Sequence, residues 1–339
     1  MYCNIYRGKF IESRHKIHAV VINKNNNILF QCGNPEHITC IRSSFKPFQA
    51  YPIIQQKGHI QYQFTNSEIA LLCASHSGEP RHIRAAKSML NKIACTHKLL
   101  ECGKHLPLHL KTQNNIIQKN IQNNQLYNNC SGKHIGMLTL SKILKHPIKN
   151  YINDTHIVQK KIFQALYHNH ILKPLYTGVD GCGAMAPFFK LLDIAKLYID
   201  FGTSLDPNYQ TLYKAITQHP YMIAGKARFD SVFIDIMKGQ GLCKGGGEGV
   251  IGLYTKSKRH GEIAIALKVE DGNHRARSIS VCDVELVLGQ DRLKELSCSA
   301  LHQIDQQLHI LLSILEFQNK YDSILSNFRL LLIQPLPSY

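Results

Sequence analysis

Strand patterns occupy the two ends of this sequence and helical patterns fill the middle, and that distribution constrains the fold more than any single motif. Near the start, residues 18–23 and 28–32 read as strands, with 24–27 as the hairpin turn between them. A second hairpin pattern comes late, with strands over 248–255 and 262–269 around a loop at 257–261. Between the two, Thr65-Asn66-Ser67-Glu68 has capping-box spacing ahead of an apolar run. Pro80 is placed to open a helix, and helical spacing recurs over 131–144, 156–167, 207–217 and 299–317. The simplest architecture is of the mixed α/β (α+β) class. Distant strands, near 16–33 and 247–270, form one antiparallel sheet, and a helical lobe spanning about 43–240 folds against it. No linker or repeat interrupts the chain, so 1–339 reads as one domain. The asparagine- and glutamine-rich stretch 112–129 reads as a surface excursion.

With 339 residues and 44% hydrophobic content, the chain can bury a proper core, and 19% charged residues argue against disorder. Residues 1–15 carry Arg7, Lys9, Glu12, Arg14 and His15 without an apolar centre, which does not fit a secretory signal. The apolar runs are far shorter than the roughly 20 residues a membrane span needs. A cytoplasmic protein with no membrane partner is expected. The odd cysteine count of 11 does not suit a disulfide framework, so most cysteines read as small buried hydrophobes. A net charge of +17 would suit nucleic acid, but the basic residues are scattered rather than clustered, so compositional bias explains it.

Four segments could carry chemistry. In Arg42-Ser43-Ser44-Phe45-Lys46-Pro47, Ser43 and Lys46 stand at i, i+3, one face of a helix, and Pro47 fits only a first turn. A serine needs a base to become a nucleophile, and a lysine serves when burial or charge makes it neutral. Taken alone, such a pair is common on surface helices. Cys73-Ala74-Ser75-His76-Ser77-Gly78-Glu79 supplies a second hydroxyl, Ser75, or is an ordinary turn between helices. Cys130-Ser131-Gly132-Lys133-His134 and Gly178-Val179-Asp180-Gly181-Cys182-Gly183 supply two thiols, which suit zinc or are simply buried. The glycines around Asp180 point to a tight turn. The fourth segment joins the glycine run Lys244-Gly245-Gly246-Gly247-Glu248-Gly249, which is no P-loop because G-K-S/T is missing, to the strand that carries Lys268, a charge within an apolar run that is either an edge lysine or one facing a cleft.

In this order, and with Arg7-Gly8 and Glu12-Ser13-Arg14-His15 before them and Glu248-Gly249 after, these segments resemble the L-asparaginase II family, the Rhizobium-type asparaginases. The resemblance covers most of the chain. It implies a fold like serine β-lactamases and serine-dependent glutaminases, and hydrolysis of L-asparagine through two Ser–Lys tandems. Ser43 with Lys46 matches the first tandem and Ser75 with Lys268 the second. It implies one zinc per chain on Cys130, Lys133 and Cys182, with Arg42, His134 and Asp180 lining the site, and a homodimer. Ser44-Phe45 is bulkier than the small pair expected inside the first motif. The rivals are a related acyl-transfer enzyme acting on glutamine or a β-lactam-like amide, and a non-enzymatic basic protein that binds nucleic acid. No K-T-G follows the late strand, which weighs against the β-lactam version.

Overall fold

The computed structural model describes residues 1–257 and 259–287; the helical pattern expected at 299–317 lies outside them. The strands are β1 (Tyr2–Arg7), β2 (Phe10–Asn23), β3 (Ile28–Cys32), β4 (Ile38–Cys40), β5 (Tyr176–Val179), β6 (Met185–Lys190), β7 (Gly241–Gly245), β8 (Val250–Ser257) and β9 (Gly261–Val269). The helices are α1 (Lys46–Gln55), α2 (Gly58–Gln61), α3 (Asn66–Leu72), α4 (Pro80–Lys92), α5 (Leu110–Gln118), α6 (Ser131–Ile143), α7 (Ile157–His170), α8 (Leu191–Thr203), α9 (Pro207–Gln218), α10 (Pro220–Ala224), α11 (Phe229–Met237) and α12 (His274–Val287).

The two ends of the described chain meet in one sheet. Its order is β1-β2-β9-β8-β7, with β3 also on β2, and the pairings are antiparallel. β2 makes the junction: its first half pairs β1, and its second half pairs β9 with Ile17 opposite Val269 and His18 opposite Lys268. β8 and β9 are buried along nearly their whole length, so the sheet lacks the in–out alternation of a half-solvated one. Helix α8 packs on β2, β8 and β9. The packing interlocks, because the Tyr198 ring lies on Gly252 and the Tyr254 ring on Gly202, where any Cβ would collide.

The middle of the chain is mostly helical, as expected, and its caps follow the sequence. Thr65 and Glu68 form the capping box in full at the start of α3, and Pro80 opens α4. The stretch 112–129 is largely exposed, but it contains part of α5, and its end is not surface: Leu126 and Asn128 are buried. A second, three-stranded sheet of order β4-β6-β5 was not expected. It draws distant parts of the chain together: Ile41 N donates to Pro187 O, which brings the segment after β4 beside the turn between β5 and β6.

Candidate active site

Ser43 lies in a short 3-10 turn, Arg42–Phe45, that leads into α1. Ile41 to Ile54 are buried except for Arg42 and Ser43, which are half-buried. Ser44 is fully buried, and its Oγ donates to Lys244 O at 2.6 Å, so its hydroxyl is already committed. The bulky Phe45 fits because it stacks among Phe48, Phe163 and Phe189 in the core.

Lys46 is completely buried, and its Nζ donates to Ala74 O at 2.6 Å, Ser75 Oγ at 2.9 Å and Asn129 O at 3.4 Å. The expected pairing is therefore crossed: Lys46 bonds Ser75, and among the described residues it makes no side-chain bond to Ser43. The cause is local. Ala74 lies just past the end of α3, where backbone carbonyls lose their helical partners and accept a buried amine. Ser75 is the one residue between 68 and 79 that is not buried. Lys268 does not reach Ser75. Its Nζ donates to Glu248 O at 2.5 Å and Val269 O at 2.6 Å. Burial lowers the Lys268 amine below its ordinary value, although Glu248, Asp271 and Glu270 push it back up.

The thiols meet. Sγ of Cys130, Sγ of Cys182 and a carboxylate oxygen of Asp180 all lie within 4.8 Å of one another. Lys133 Nζ is 2.9 Å from Cys182 Sγ and 3.6 Å from Asp180 Oδ2, and Arg42 Nε donates to Asp180 Oδ1 at 2.8 Å. The hydrogen bond from Cys182 holds the Cys130 thiol well below its usual range. Burial lowers the Lys133 amine, but the two sulfurs and Asp180 outweigh it and raise the amine overall. Two soft sulfurs with an oxygen or nitrogen donor at this spacing fit a zinc-like ion.

Small residues allow this approach. Gly132 brings the start of α6 onto the Leu71 carbonyl, where a Cβ would collide. Gly183, at φ 83°, closes the β5–β6 turn with its N–H on Asp180 O at 2.8 Å. His134 is fully buried, with Nδ1 2.8 Å from the Tyr151 hydroxyl and Nε2 without a partner among the described residues.

Sequence reasoning missed several residues here. The main chain of Asn129 helps hold Lys46. His76 is buried beside Ser75, accepts from Gly78 N at Nδ1 and meets Ser131 Oγ at 2.8 Å through Nε2, tying the Ser75 segment to α6. Lys244 is buried against Asp230 at 3.1 Å, and Arg277 approaches the same carboxylate at 3.9 Å. Burial lowers the Lys244 amine to about 8 despite Asp230. The Lys244-Gly245-Gly246-Gly247 run stands out in the sequence, but nothing in it assigns Lys244 a role; Gly246 and Gly247 pack against Arg42, where side chains would crowd it.

Comparison with known proteins adds a family. The L-asparaginase II family profile matches residues 3–309. No curated protein matches. Among solved structures, one of Mglu aligns with a TM-score of 0.34 at 11% identity, covering 80% of this chain and 67% of that one. The native form of Mglu gives 0.32 at 12% identity, covering 78% and 62%. Its tris and glutamate form gives 0.33 at 12%, covering 80% and 59%. The profile spans nearly all of the described fold, including each segment that builds the buried serine, lysine and thiol cluster, and the chain belongs to the L-asparaginase II family of amidohydrolases.

Proposed function

We propose that this amidohydrolase converts L-asparagine to L-aspartate and ammonia through an acyl-enzyme on Ser43. The observation that carries the reading is Lys46, a buried lysine without a carboxylate ion pair among the described residues, bonded to Ser75 at 2.9 Å. A buried lysine without a carboxylate partner costs stability, so its retention beside a serine hydroxyl favours a functional role.

Ser43 Oγ attacks the side-chain amide carbon. Lys46 and Ser75 act as one relay that accepts the Ser43 proton and returns it to the leaving nitrogen, so that ammonia departs. Water then hydrolyses the aspartyl ester through the same pair in reverse. Lys268 holds the Glu248 carbonyl and with it the glycine loop against Arg42; burial lowers its amine, which suits the part of a second base. Cys130, Lys133 and Cys182 would hold a zinc ion, with Asp180 beside them, and His134 and Arg42 line the substrate side. When bound, the ion supplies fixed positive charge and ties the β5–β6 turn to the start of α6.

The same reading gives the chain a serine β-lactamase-like fold, with sheet and helical lobe meeting at the serines, in a single domain that works as a cytoplasmic homodimer. Ammonia release tests the activity: release from asparagine well above that from glutamine is expected, and the reverse order would move the assignment to glutamine. Light scattering of the purified chain tests the dimer.

A further inference from the structure

The end of α10 and the residues that follow it lie against the segment 75–79 and are clamped there. Ser75 N donates to Ile223 O at 2.8 Å, and Ser77 Oγ donates to Ala224 O at 2.7 Å. Glu79 holds it from the other end, accepting from Lys226 N at 2.9 Å and from the Tyr221 hydroxyl at 2.6 Å. The clamp leaves no spare volume, since a Cβ on Gly225 would collide with the Glu79 carboxylate. The backbone then passes through Ala227 at φ 58°, a left-handed conformation that a non-glycine residue adopts at a cost and that the surroundings must enforce.

What this strained and clamped turn presents is Arg228. Its side chain is exposed, and its Nη1 donates to Ser77 Oγ at 3.4 Å. The other arginines around the site are committed: Arg42 to Asp180 at 2.8 Å and Arg277 to Asp230 at 3.9 Å. The nearby Asp230 carboxylate feels the Arg228 charge but forms no ion pair with it among the described residues; its Oδ2 accepts from Lys244 Nζ and Gly245 N. Arg228 makes no ion pair among the described residues, and its one side-chain bond goes to a neutral hydroxyl. Ser77, which it touches, stands two residues along the chain from Ser75, at most about 7 Å of backbone. The α-carboxylate carbon of asparagine lies three bonds from its side-chain amide carbon.

We propose that Arg228 receives the α-carboxylate of the amide substrate and so restricts the site to amino acids that carry a side-chain amide and a free α-carboxylate. This rests on the hydrolase reading and adds to it the residue that reads the substrate's α-carboxylate. Arginine suits the task because its planar fork matches a carboxylate with two parallel bonds.

The test compares L-asparagine with 3-aminopropanamide, the same skeleton without the carboxylate, on the full chain. Arg228→Ala should raise KM for L-asparagine by about ten- to a hundredfold, the worth of a charged hydrogen-bonded contact. It should leave kcat/KM for 3-aminopropanamide unchanged, and Arg228→Lys should recover part of the loss. Calorimetry gives a readout that needs no turnover: Arg228→Ala should weaken L-aspartate by the same factor and leave β-alanine unaffected. An equal loss on both members of a pair, no loss on either, or no binding of L-aspartate by the native chain overturns the proposal. A native chain that binds L-aspartate through Arg228 yet releases no ammonia from asparagine sinks the hydrolase reading alone.

Discussion

At the level of single residues, the proposed chemistry turns on Lys46 and Ser75. Lys46→Met and Ser75→Ala should each lower kcat/KM by about 10²- to 10⁴-fold, the usual worth of positioned acid–base groups. If the two act as the proposed relay, the double variant should lose little more than either single one. Lys268 makes a pH prediction. Burial disfavours its ammonium, so the amine sheds its proton below the ordinary lysine value. A base works only when unprotonated. The rate should therefore rise as pH increases above neutrality, and Lys268→Met should remove or displace that limb; a profile that is flat in both proteins would contradict the role. The residue identities were legible in the sequence, but the pairing was not. The i, i+3 spacing joins Ser43 to Lys46 on paper, whereas the structure turns the amine toward free carbonyls beyond α3, a helix that starts only at Asn66.

Among the elements, Gly132 decides how closely α6 approaches α3. Gly132→Ala should destabilise the chain by about 1–3 kcal/mol through overpacking. It should also reduce bound zinc, because Cys130 and Lys133 move with the helix start; metal analysis beside a urea titration checks both. Thr65→Ala, at the capping box that opens α3, the end away from Leu71 and Gly132, should cost about 1 kcal/mol and leave zinc content unchanged. The hairpins, the capping box and the Pro80 helix start were legible because each is a local pattern. β4 and β5 were not, because three or four residues are too few to show a period of two. Helix α11 hid for a different reason: it is apolar on most sides, and such a run does not distinguish a buried helix from a strand.

For the molecule as a whole, the junction of sheet and lobe holds a buried charge network that no local pattern reveals, because Asp230, Lys244 and Arg277 come together only when β7, α11 and α12 pack. Asp230→Asn leaves two buried cations without their carboxylate and should cost about 3–5 kcal/mol, seen as a clear fall in melting temperature. That the two ends share a sheet was legible from where the strand patterns lay, and β2 paired with β9 realises it. Where sheet and lobe meet, the proposed chemistry needs the accessible serine of the first motif, rather than its buried neighbour, as nucleophile. Asparaginase activity of Ser43→Ala and Ser44→Ala, measured side by side with both proteins shown to be folded, decides between the two. Ser43→Ala should lose activity by orders of magnitude while Ser44→Ala, which gives up only a bond to the Lys244 carbonyl, keeps most of it. An active Ser43→Ala beside an inactive, folded Ser44→Ala would contradict the proposed mechanism.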